Sequence, residues 1–199
     1  MKKNKLLLLL CIILALALAV SAGFHLHQHA ELRQKQEAIH NTVRSQLHTH
    51  QTLFVTAVSV QEGSLYEHVQ TPDNLNTVIE TLQSSIDYYN AACLLSDQDD
   101  LLEKHPAYMD LLTFYSNYLN HLKGYRNCLI EGEPEKFSYD AEAFFSDLER
   151  IGEWLSEMEP DTLSGDFSFY GEREFLEGVF GELTCEYKWD TALAQNWKE

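Results

Sequence analysis

The chain has 199 residues, 45% hydrophobic and 12% aromatic, which excludes a chain disordered throughout. Only 9 glycines and 4 prolines punctuate it, so long helices are favoured over a many-turned β fold. With 31 acidic against 14 basic side chains and a net charge of −17, it repels phosphate backbones, which excludes nucleic-acid binding as a function class.

Lys2, Lys3 and Lys5 precede residues 6–24, a run without charge in which only Ser21 is polar. As a helix the run spans roughly 28 Å, close to the ~30 Å hydrocarbon core of a bilayer. This predicts a transmembrane signal-anchor helix over 6–24. The lysines hold residues 1–5 in the cytoplasm and place residues 25–199 outside it. The alternative is a signal peptide cleaved after Ala22, since "VSA" before Gly23 is an acceptable small-residue site. The length of the run and the lack of a helix breaker favour the anchor. Leucines directly precede Cys11, so a lipid-modified cysteine is not supported.

Next comes "FHLHQHAE", residues 24–31. On a helix His25 and His29 share a face and His27 points away, leaving a two-imidazole metal candidate where a closed zinc site needs four ligands. The apolar positions Ile39, Val43, Leu47, Phe54, Val58, Leu65 and Val69 then step by fours and sevens, which predicts one helix running to about residue 69. His40 and His50 border that stripe. Partial burial there favours neutral imidazole, which makes both pH-sensing candidates.

Thr71, Pro72 and Asp73 form a helix start signal for a stripe from Leu75 to Cys93. Asp97, Asp99 and Asp100 resemble the opening of a calcium loop, but the required glycine and glutamate positions hold Leu102 and Tyr108. Pro106 opens a helix on which Tyr108, Tyr115, Tyr118 and Tyr125 make an aromatic stripe. It is either core or one wall of a ligand pocket between helices. After a loop at 131–136, Ser138 or Asp140 caps a helix through Phe144, Leu148, Ile151, Leu155 and Met158. Glu153 and Glu157 are an acid pair on its solvated face. Residues 159–171 read as loop, and a last helix carries Phe175, Leu176, Val179, Phe180 and Leu183.

Outside the apolar run there are three cysteines, Cys93, Cys128 and Cys185, with no CxxC spacing. In an up-down bundle whose hairpins close near 134 and 164, Cys128 and Cys185 both face the start of the fourth helix. They are the disulfide candidate, against three separate buried thiols.

The fold expected is all-α: an N-terminal transmembrane helix continuing into an up-down bundle of about four to five helices. No nucleophile elbow, phosphate loop or HExxH pattern occurs, so no enzyme activity and no cofactor is expected. The function expected is a single-pass, membrane-anchored interaction or sensing module of the cell envelope. Its partners are the bilayer through residues 6–24 and a protein or ligand of basic character, since 24 of the 31 acidic residues fall in 96–199. The alternative is a secreted or anchored small-molecule or metal-binding domain.

Overall fold

Five α-helices and two 3-10 turns, with no strand, make up the described residues of a computed structural model: 2–95, 108–157 and 178–186. Side chains are described from Ile13 onward, except Ala15 and residues 108–110. The chain forms two units, residues 1–41 and 42–199. Residues 97–106, Met158, Phe175 and Leu176, and the side chains of Cys11 and Tyr108, lie outside the described set.

The first unit is the leading part of α1 (Lys2–Val58), helical without a break. Its aliphatic side chains are bare: Ile13 is 55% exposed, Leu18 68% and Val20 72%. Ile39, expected on the buried stripe, is also exposed. Among the described residues no helix is long and apolar enough to cross a membrane. The side chains of residues 6–12, the most apolar part of the leucine-rich run, lie outside that statement.

In the second unit Val43, Leu47, Phe54 and Val58 of α1 are buried, as their spacing predicts. The helix stops at Val58 rather than near residue 69. Gly63 adopts φ +76°, a left-handed turn that a helix cannot continue through. Ser64 then caps the short α2 (Leu65–His68) in a reciprocal capping box with Glu67. Leu65 and Val69 are buried, but they reach the core from beyond the turn. The Leu65 amide donates to Glu149 Oε1 at 2.7 Å, which fixes α2 on the fifth helix.

α3 (Pro72–Leu95) starts where Thr71 Oγ1 accepts from the Asn74 amide. α4 (Tyr108–Glu131) packs along it. Arg126 donates to Asn76 (3.1 Å), Lys123 donates to Gln83 (3.3 Å), and the Tyr115 ring meets Tyr89. As the number on α4 falls, its partner's on α3 rises, so the two helices are antiparallel. Gly132, at φ +73°, ends α4 and leads into the 3-10 turn Pro134–Lys136.

Asp140 caps α5 (Ala141–Glu157) through the Ala143 amide at 2.9 Å. Phe144, Phe145, Leu148, Ile151 and Leu155 bury one face of it. α1 lies close by: a Cβ built on Gly152 would overlap Val58 Cγ2, and Gln51 donates its side-chain amide to the Leu155 carbonyl. The final segment differs from expectation. In place of a helix through Val179, Phe180 and Leu183 there is a 3-10 turn, Phe180–Glu182, followed by extended Leu183. Asp147 holds this segment, accepting from the Thr184 amide and hydroxyl and from the Cys185 amide at 2.7, 3.1 and 2.8 Å. A carboxylate takes bonds that a helical segment would have made to itself.

Candidate functional site

His50 lies three residues after Leu47 and four before Phe54, which puts it inside the buried stripe rather than beside it; it is 1% exposed. Its Nδ1 is 3.1 Å from the Ser85 carbonyl oxygen and 2.8 Å from Ser85 Oγ. Ser85 Oγ in turn donates to the His50 carbonyl at 2.8 Å. A carbonyl only accepts, so the ring proton belongs on Nδ1, and the hydroxyl lone pair shares it. Nε2 then carries a bare lone pair, buried and without a hydrogen-bond partner.

Aromatic rings pack around the imidazole. From its own ring centroid, theirs lie 5.0 Å away at Tyr89, 5.6 Å at Tyr115 and 6.1 Å at Phe54. Burial pushes the imidazole down from 6.5 to about 4, outweighing the bond to the Ser85 carbonyl, which acts to raise it. A Ser–His contact resembles a nucleophile with its base. Here the serine proton is committed to a backbone carbonyl, and Ser85 is wholly buried. The chemistry available to the pair is uptake of one proton at Nε2, on acidification, at the expense of the packing around it.

The other predicted residues are dispersed. His40 is half-buried, and His25 and His29 are exposed. Among the described residues no group of three ligating side chains is placed to hold a metal ion. His27, not His25 or His29, approaches an acid, with Nε2 3.5 Å from Glu31. Tyr115, Tyr118 and Tyr125 are core: Tyr115 packs on His50, Tyr118 on Phe114 and Phe144, and Tyr125 on Phe137 and Phe145. Tyr125 also borders a cavity. Cys128 and Cys185 are not joined in a disulfide, so the expected bridge is not made.

Two residues that sequence reasoning passed over matter here. Ser85 lies three residues after Leu82 and one before Ile86, and Asp147 lies three after Phe144 and one before Leu148. A polar residue at such a position on an apolar stripe is the readable signal of a buried hydrogen-bonding group. Comparison with protein-family profiles, curated protein sequences and solved structures gives no match.

Proposed function

We propose that this is a single-pass membrane-anchored protein whose acidic helical bundle lies outside the cytoplasm and acts by binding, as an interaction or sensing module of the cell envelope. One observation carries the reading. The aliphatic side chains of Ile13, Leu14, Leu16, Leu18 and Val20 stand 55–72% exposed on a helix that follows three lysines without interruption. Leaving such side chains in water forgoes roughly 1.5–3 kcal/mol apiece. Lipid is the solvent that matches a helix apolar on all sides, and the lysines set its direction.

Binding, rather than catalysis, is supported by how the buried polar groups are used. Ser85 and Asp147 are committed to backbone groups that hold elements together. The excess of acid over residues 96–199 suits a basic partner.

Fractionation with N-terminal sequencing tests the proposal. The expected result is a chain that stays with membranes through a high-salt wash, needs detergent for release, retains residues 6–24, and is digested by protease added outside the cell. A mature chain starting at Gly23 in the soluble fraction would refute it and favour the secreted alternative.

A further inference from the structure

We infer that a cleft between α2, the C-terminal end of α4 and the start of α5 binds a small organic cation with an ammonium or quaternary ammonium head. The cleft has a volume of about 450 Å³, within the usual range for small-molecule sites. Three partly exposed aromatic side chains line it, Tyr66, Phe137 and Tyr139, with the buried ring of Tyr125 behind them. Phe137 meets Tyr125 at 5.1 Å and 65°, and Tyr139 at 5.8 Å and 74°. Rings set nearly at right angles form a corner, and a corner offers a guest more than one ring surface. The face of each ring is the negative end of its quadrupole, which attracts a cation.

The rim carries the same sign. Glu135, Asp140 and Glu142 line the cleft, and among the described residues no lysine, arginine or histidine does. Lys136, the nearest base in sequence, is paired with Glu133. The N-terminus of α5 opposes a cation with roughly half a positive charge, but Asp140 already caps it, and three carboxylates outweigh it. An anion would therefore meet repulsion from both the rim and the ring faces. A bare metal ion fits poorly, because the three carboxylates do not converge as a metal-holding group. The Tyr125 hydroxyl is buried without a well-formed hydrogen bond, and burial together with Tyr66 pushes its pKa up, so this wall stays uncharged. The inference stands apart from the anchor and holds for a released bundle equally.

Isothermal titration of the full chain in a maltoside detergent tests it, with choline as probe and its neutral isostere 3,3-dimethylbutan-1-ol as control. The expected result is saturable one-to-one binding of choline, with the isostere roughly tenfold weaker. Glu135→Gln with Glu142→Gln, both on exposed positions, weakens choline several-fold and leaves the isostere unchanged. Tyr139→Leu, which keeps apolar volume and removes a ring face, weakens choline more than the isostere; circular dichroism melting confirms that each variant is folded. Equal binding of the two probes, indifference to all three substitutions, or no saturation by about 10 mM choline overturns the inference.

Discussion

Ser85 Oγ and His50 Nδ1 stand 2.8 Å apart in the protein interior, and through this pair α1 is bonded to α3. The contact is reciprocal, because the same hydroxyl donates back to the His50 carbonyl. Its neighbours on α3 behave differently. Thr81 and Ser84 turn their hydroxyls onto the carbonyls of Thr77 and Glu80 one turn back, whereas Ser85 reaches across to another helix. A polar bond across an apolar seam fixes register, and here it does so with a group that can change charge.

Stability should therefore depend on acidity. The folded imidazole titrates near 4 and the unfolded one near 6.5. Between those values the unfolded chain binds more protons, so stability is full above pH 6.5 and falls as the pH drops toward 4. The slope is up to about 1.4 kcal/mol per pH unit, for a total of about 3 kcal/mol. The Tyr89 and Tyr115 rings pack against the imidazole from α3 and α4. Urea melts from pH 7.5 to 4.5 should show the fall, and His50→Leu should flatten this component. A slope unchanged in His50→Leu would assign the acid sensitivity to carboxylates instead.

Asp147 predicts a large local loss. Asp147→Asn keeps the shape but turns one acceptor oxygen into a donor facing backbone amides. With three bonds made at a residue 1% exposed, about 2–4 kcal/mol should be lost in a urea titration. Protease sensitivity around Thr184 should rise before the rest of the bundle unfolds, since this carboxylate holds that segment.

Gly152 offers a test of close approach. In an exposed helix Gly→Ala would gain about 1 kcal/mol of propensity. Here the new methyl overlaps Val58 Cγ2, and the overlap costs about 1–3 kcal/mol. Gly152→Ala should therefore melt lower than the parent. In Val58→Ala with Gly152→Ala the combined loss should be smaller than the sum of the two single losses, measured as a double-mutant cycle.

Much of this was legible in the chain. The apolar steps at Val43, Leu47, Phe54 and Val58 gave the buried face of α1, and Thr71 and the choice of Ser138 or Asp140 gave helix starts, of which Asp140 makes the cap, because both signals are local. The end of α1 was missed since Leu65 and Val69 continue the same spacing past Gly63. Periodicity cannot register a left-handed turn between two helices that bury their residues in one core. Ser64 and Glu67, three apart, were the available sign of a new start. The His50 site was half legible. Its place on the stripe was readable, but Ser85 comes from a helix 35 residues away, and nothing local in either segment encodes that pairing.

The thiols give a further test. Cys128 is half-buried near the end of α4, whereas Cys93 and Cys185 are each 1% exposed. In the folded protein at pH 7.5 a maleimide should label Cys128 well before the other two, read by mass spectrometry of peptides. Equal rates would mean that the bundle opens on the labelling timescale.

The polar contacts between α3 and α4 have a different temperament. Arg126 and Lys123 donate to the amides of Asn76 and Gln83, acceptors that keep the same form from neutral to strongly acidic solution. Vinegar-strength acid thus leaves this hairpin its cross-links while it charges the histidine joining α1 to α3. The α1–α3 contact is therefore expected to weaken in acid before the contacts between α3 and α4 do.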